Sequence, residues 1–258
     1  MSRSPADVAP GLLATWLALQ LVGAALAWLV HRNDTGRAVK RAGGLRDKFV
    51  SYIGITLGIL LLGWLPEELF RMVLLTWMTF TILEFHSAVD HAETEGLREE
   101  EWLGSAGSAI LAAAFAALYA VRASDPTGGA WGYLWLIVGT TDAYSQLFGQ
   151  GWGKRQMAPV LSPGKMWEGF LGGTASAVLA GAAMAFVFPK LSREQVALLA
   201  LLLTLAASAG DLIASAVKRH LRTKDFSELL GTHGGLLDRF DSLLAAALVF
   251  APLLALLP

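Results

Sequence analysis

The chain has no cysteine among its 258 residues, which excludes a disulfide framework and any thiolate metal site. Charge is also scarce. Asp, Glu, Lys and Arg make up 16% of the sequence, against about 25% in an ordinary soluble domain. Five histidines are scattered, and none stands in the HxxxH or HExxH spacing of a helical zinc site. A net charge of −1 singles out no strongly acidic or basic partner. Internal repeats and low-complexity tracts are missing, and no linker divides the chain. We therefore read one domain over 1–258, with 1–128 as N-terminal helices and 129–258 as the half that carries the polar motifs. What fills the sequence instead is apolar residues, 55% of the total, giving a mean hydropathy of +0.52.

A helix needs roughly 20 apolar residues to cross a bilayer core. Segments 10–30, 49–65, 69–85, 103–121, 130–148, 169–188, 196–217 and 242–257 meet or approach this, the second and last being short. The expected fold class is therefore all-α: a polytopic integral membrane protein of about eight transmembrane helices with a cytoplasm-facing polar cavity. The first apolar run, Gly11 to Val30, is too long for the h-region of a cleaved signal and is read as a span.

Orientation follows the distribution of Lys and Arg. The connection 31–48 holds Arg32, Arg37, Lys40, Arg41, Arg46 and Lys48. If it is cytoplasmic, alternation places 86–102, 149–168 and 218–241 inside as well, and fifteen of the twenty basic residues then lie inside. Loop 86–102 is acidic (Asp90, Glu93, Glu95, Glu99, Glu100, Glu101), but acidic residues carry little weight in this rule. We read that run as a solvated face. The nine tryptophans suit interfacial belts or packing.

Two aspartates fall where charge is costly. Asp142 sits in GTTDAYSQLFG and Asp211 in LAASAGDLIASAVKR. An Asp at the centre of a spanning helix costs about 2.5–3.5 kcal/mol, so it usually faces a polar cavity and serves a purpose. Asp211, Ser215 and Lys218 are spaced i, i+4, i+7 and share one helical face. A carboxylate, a hydroxyl and an ammonium on one stripe suit a metal–phosphate site.

The segment from Ser215 to Ser242, SAVKRHLRTKDFSELLGTHGGLLDRFDS, packs many polar groups between two apolar helices. Lys218, Arg219, Arg222 and Lys224 offer cationic donors to phosphates. Gly231, Gly234 and Gly235 allow close backbone approach or positive φ. Asp238 and Asp241, i and i+3, share a face at the entry to the last span. Such a pair can hold Mg²⁺ together with substrate phosphates. The plainer reading is a cytoplasmic loop with Asp241 as a helix N-cap.

This stretch resembles the signature of the CDP-diacylglycerol synthase (phosphatidate cytidylyltransferase) family. Its fixed positions are matched by Ser215, Lys218, Arg219, Lys224, Asp225, His233, Gly234, Gly235, Asp238, Arg239 and Asp241. Upstream, GQGWGKRQMAPVLSPGKMWEGFLGG is similar to the family's second conserved stretch at Gly153, Lys154, Pro159, Ser162, Pro163, Lys165, Glu168 and Gly169. It departs at Met166, where Thr is usual, and at Gly164, where Lys is frequent. Asp142 matches an acidic position ahead of that stretch. The likeness covers about residues 139–242. We read LSPGK as a Pro–Gly turn between spans that presents Lys165.

The resemblance implies an Mg²⁺-dependent nucleotidyltransferase of the inner membrane, its site facing the cytoplasm. It would join the cytidylyl group of CTP to phosphatidate, releasing CDP-diacylglycerol and pyrophosphate. Asp211, Asp238 and Asp241 are expected at the metal, with Asp142 a further candidate. Lys165, Arg219, Lys224 and Arg239 are expected on phosphates, with Lys218 and Ser215 in the catalytic group. His233 would bond a phosphate or order its loop. The family likeness also allows a second cation and a homodimer. Besides a catalytically silent scaffold that keeps the motif, two other readings stay open at this point. One is a related CTP-using transferase or kinase acting on another lipid. The other is an ion-coupled transporter relaying protons through Asp142 and Asp211.

Overall fold

The computed structural model describes residues 3–32, 53–94, 101–229 and 234–257. Within them the chain forms eight helices: α1 (Pro5–Arg32), α2 (Ile53–Leu62), α3 (Glu67–Thr94), α4 (Glu101–Ser124), α5 (Gly129–Trp152), α6 (Trp167–Ala183), α7 (Arg193–His220) and α8 (Leu237–Leu256). A two-stranded antiparallel hairpin, β1 (Gln156–Ala158) and β2 (Ser162–Met166), joins α5 to α6. Each expected span coincides with a helix. The basic connection beyond Arg32, Glu95, Glu99 and Glu100 of the acidic run, Gly231 and His233 lie outside the described residues.

Five helices, α1, α3, α4, α7 and α8, are long and apolar enough to cross a membrane. Their outward faces are greasy: Leu21 on α1, Leu83 on α3, Ile110 on α4 and Ile213 on α7 are each about 60% exposed. Apolar patches this continuous would be a liability in water and suit lipid contact. The chain is an all-α membrane protein.

The other three helices differ for physical reasons. The described part of α2 is Ile53–Leu62, and α6, at 17 residues, ends in a 3₁₀ turn at Ala185–Val187 ahead of Pro189. Helix α5 is long enough but carries Thr140, Thr141, Asp142, Ser145 and Gln146. It can do so because it is the inner helix, packing against α1, α4, α6, α7 and α8. Every residue from Gly129 to Val138 is buried. Indole N–H groups on this buried stretch tie α5 to α2: Trp131 donates to the Ile59 carbonyl and Trp135 to that of Thr56, both at 2.8 Å. The tryptophans thus divide, with Trp131 and Trp135 packed inside and Trp28, Trp102, Trp152 and Trp167 outside.

Small residues bring α6 onto α5. A Cβ at Gly169 would stand 2.5 Å from the Ser145 carbonyl oxygen and 3.2 Å from the Gly149 Cα, both backbone atoms that cannot swing away. Helix α7 starts with a capping box: Ser192 Oγ accepts from Gln195 N, and the Gln195 side chain accepts from Ser192 N at 2.7 Å. It then runs to His220, carrying Asp211, Ser215 and Lys218 on one stripe.

Two expectations are corrected. The LSPGK segment is not a turn. The reversal falls at Pro159–Leu161, and Pro163 and Gly164 lie within β2. An edge of a two-stranded ribbon does not need the N–H that proline lacks, and the register shifts across this stretch, which accommodates the pair. Asp241 is not the N-cap of α8 either. That helix begins at Leu237, so both Asp238 and Asp241 lie inside its first two turns.

Candidate active site

Three features bring the chemistry-bearing residues to one end of the bundle. Helices α5 and α7 finish there, α6 and α8 start there, and the β1–β2 hairpin folds back over their ends. Glu168, in the first turn of α6, accepts backbone N–H bonds from Lys154 at 3.0 Å and Arg155 at 3.2 Å, while Trp167 N donates to Arg155 O at 2.9 Å. These bonds close the base of the hairpin. Lys165 on β2 is thereby aimed inward, and its Nζ lies 2.6 Å from Asp211 Oδ2. Asp211 is nine residues short of the end of α7, about 13 Å along the helix.

The second centre joins α7 to α8. Lys218 Nζ lies 2.7 Å from Asp238 Oδ1 and 4.0 Å from Asp241 Oδ2, and its ammonium sits 5.2 Å from the centre of the Phe226 ring. The side chains of Lys218 and Asp238 are 11% and 4% exposed, so water screens this pair little. The other oxygen of Asp238 accepts from Phe226 N and Gly235 N, each at 2.9 Å. Both carboxylate oxygens of Asp238 are therefore engaged by the protein itself. Asp241 accepts from Ser242 N at 2.7 Å.

The two centres lie within electrostatic reach of each other: Asp142 of Asp211, Asp241 and Lys165, and Asp241 of Asp211 and Lys218. Asp142 is exposed, on the polar C-terminal half of α5. The stripe read from the sequence faces inward: Ser215 and Lys218 are both buried. Arg219, Lys224 and Arg239 are exposed near the same end, and Arg219 donates to the Thr223 carbonyl at 2.8 Å.

Gly234 takes the positive φ that the sequence reading allowed, and the close approaches at Gly234 and Gly235 are to the chain's own residues. Gly234 has φ +72°, and a Cβ there would stand 3.1 Å from both Asp225 Oδ1 and Asp238 Oδ2. A Cβ at Gly235 would overlap the Glu84 carboxylate. The close approach is thus to the chain's own acids. Glu84, on α3, escaped the sequence reading altogether. It is 7% exposed, and it accepts from Leu236 N at 2.9 Å, from Leu237 N at 2.6 Å and from the Ser227 hydroxyl. The available signal was a lone carboxylate in the apolar run TWMTFTILEF.

The fold and the site together define an all-α membrane protein with lysines and aspartates gathered at one end of its bundle. Comparison narrows this class. The model of the cytidylyltransferase family matches residues 7–257, and the chain belongs to that family. It is 42% identical over 115 residues to a phosphatidate cytidylyltransferase of Brucella abortus, a match covering 45% of this chain and 43% of that protein. A phosphatidate cytidylyltransferase of Staphylococcus aureus (strain COL) is 41% identical over 111 residues, 43% of each chain. The uncharacterized protein YnbB of Escherichia coli K12 is 39% identical over 125 residues, 48% of this chain and 42% of that one. The chain thus aligns with less than half the length of these relatives. No solved structure matches it.

Proposed function

We propose that the chain transfers the cytidylyl group of CTP to phosphatidate, giving CDP-diacylglycerol and pyrophosphate. The observation that carries this is the convergence of Lys165 from the hairpin and Lys218 from α7 among Asp142, Asp211, Asp238 and Asp241. Family membership and the names of the aligned relatives support it.

In this reaction a phosphatidate oxygen forms a bond to the α-phosphorus of CTP. The bond from that phosphorus to the bridging oxygen breaks, and pyrophosphate leaves with the electron pair. The nucleophile needs no general base, because a phosphomonoester has its second pKa near about 6 and is largely a dianion at neutral pH. The obstacle is the meeting of two anions, and fixed cations lower it where charge develops. Lys165 and Lys218 would hold the triphosphate. Arg219, Lys224 and Arg239 would extend the positive field toward the lipid head group, and Ser215 would orient a phosphate. His233 would donate to a phosphate or order its loop.

Mg²⁺ belongs to this reading, and the donor set fits it. Asp142, Asp211 and Asp241 are hard oxygen donors whose mutual repulsion a divalent ion would relieve. Among the described residues no three acids or imidazoles form a ready cage. That accords with an ion held by one or two carboxylates plus substrate phosphates. Asp211 and Asp241 would hold it, with Asp142 left for a second cation. Asp238, filled on both oxygens, fits a supporting role better than a ligand. Bound Mg²⁺ would neutralise charge on the triphosphate.

The Lys/Arg bias and the bacterial relatives support an inner-membrane protein of eight spans whose site faces the cytoplasm, where soluble CTP meets a lipid head group. The test is pyrophosphate release by the purified chain with CTP and phosphatidate, with Mg²⁺ and with EDTA. CDP-lipid as the product supports the reading. CDP release with a newly phosphorylated lipid would make the protein a kinase instead.

A further inference from the structure

Glu84 has no place in the chemistry above, yet it is a buried carboxylate reaching from α3 to the polar turn ahead of α8. The first N–H groups of a helix have no partner within it. At α8 the N-cap position is Leu236, whose side chain cannot accept a bond. Glu84 supplies the missing acceptors from another helix, taking Leu236 N on one oxygen and Leu237 N on the other. Ser227, on the segment leading out of α7, donates to the same carboxylate. Only a glycine at 235 leaves room for this contact.

The same turn is gripped from its other side by Asp238, through Gly235 N and Phe226 N, and Asp238 in turn holds Lys218. Two carboxylates thus clamp one turn: Glu84 fixes it to α3, and Asp238 couples it to the site. Loosening the Glu84 side would let residues 234–237 shift. The Lys218 ammonium, tied to that turn through Asp238, would shift with it, and Asp241 one turn further on would follow.

We propose that Glu84 is a positioning residue, setting the place of Lys218 and Asp241 by anchoring the start of α8 to α3. This rests on the cytidylyl-transfer reading for its kinetic consequence, but the anchoring itself can be measured without activity. The full chain and its Glu84→Gln variant, purified in detergent, are compared in two ways. Gln keeps the size and places an NH₂ where an acceptor is needed, so the amides of Leu236 and Leu237 are expected to lose hydrogen-exchange protection. In the CTP and phosphatidate assay kcat is expected to fall about tenfold to a hundredfold, the scale on which small misplacements act. KM for CTP should change less.

Unchanged exchange at those amides, or faster exchange with wild-type kcat, would overturn the proposal. If the wild type itself releases no pyrophosphate, the transfer reading fails, and the exchange result alone decides the anchoring. Should Glu84→Gln fail to fold, Gly235→Ala decides. Its Cβ falls on the Glu84 carboxylate, so it should reproduce both the faster exchange and the fall in kcat. A Gly235→Ala protein with native exchange and native kcat would refute the clamp.

Discussion

Lys165 and Asp211 form an ion pair at 2.6 Å, although one rides on a short hairpin and the other lies well inside α7. The pair is partly shielded, with side chains 22% and 35% exposed. An acid at that depth is tolerated because a cation reaches it, and the cation is held there by the hairpin's attachment to Glu168.

The first expected outcome concerns that pair. Lys165→Ala should leave Asp211 without its partner, lowering stability by about 1–2 kcal/mol, less than a fully buried pair would lose. CTP-dependent pyrophosphate release should fall at least about a hundredfold, since a fixed cation facing the phosphates is removed. Removing both partners with Lys165→Ala and Asp211→Ala should restore the melting temperature but not the activity. Activity recovering along with stability would mean the pair is structural only.

A sharper contrast is expected between two acids one turn apart on α8. Asp238→Ala strands the buried Lys218 ammonium and two backbone N–H donors, so it should cost about 3–5 kcal/mol and show as a large fall in melting temperature. Asp241→Ala removes two bonds from Ser242 and a 4.0 Å contact with Lys218, which keeps Asp238 as its partner, so the melt should stay much nearer wild type while CTP incorporation is abolished. Its residual activity, if measurable, should require more Mg²⁺ than the wild type. Near-normal turnover by Asp241→Ala would remove its metal role.

The closeness of α5 and α6 supplies a third outcome. At Gly169 an added Cβ meets the Ser145 carbonyl oxygen at 2.5 Å and the Gly149 Cα at 3.2 Å. Backbone atoms on a packed helix cannot yield as a flexible side chain would. Gly169→Ala should therefore push the helices apart at a cost of about 1–3 kcal/mol, the usual scale of overpacking. At Gly164, by contrast, a Cβ meets nothing within 4 Å. Gly164→Lys, which would restore the residue frequent in the family, should leave the melt unchanged. Thermal unfolding in detergent compares the two.

These outcomes also show which parts of the molecule a sequence can reveal. All eight helices were readable because apolar runs record burial in lipid or protein directly, and the inward stripe of Asp211, Ser215 and Lys218 followed from helical spacing alone. The pairing of Lys165 with Asp211 was not readable. Both residues stood out singly, but the hairpin that joins them depends on Glu168 accepting two backbone N–H groups, a contact with no sequence period. The LSPGK segment was misjudged because Pro–Gly usually marks a turn, whereas here a shift in the antiparallel register absorbs both residues within β2. Glu84 was missed because a carboxylate near the end of an apolar run looks like a snorkelling helix end. Its partners are backbone N–H groups on α8, which no side-chain pattern announces.

Glu168 yields the last expectation, in pH. It lies just outside the apolar span 169–188, and its carboxyl is held below the ordinary range, first by the Lys154 N–H, then by its own backbone N–H and that of Arg155. A carboxyl with a lower pKa in the folded state stabilises that state while it is ionised. The attachment of the hairpin should therefore be complete above the ordinary glutamate value of about 4.3 and be lost as pH falls through the depressed folded value. Hydrogen exchange at the Lys154 and Arg155 amides, corrected for the intrinsic rate, should show protection at about pH 6 and its loss on acidification toward about pH 3. Glu168→Ala should show the unprotected pattern already at neutral pH, with Lys165 released from Asp211 and turnover reduced. Protection persisting in Glu168→Ala would mean that the Trp167 N–H bond to the Arg155 carbonyl closes the hairpin by itself.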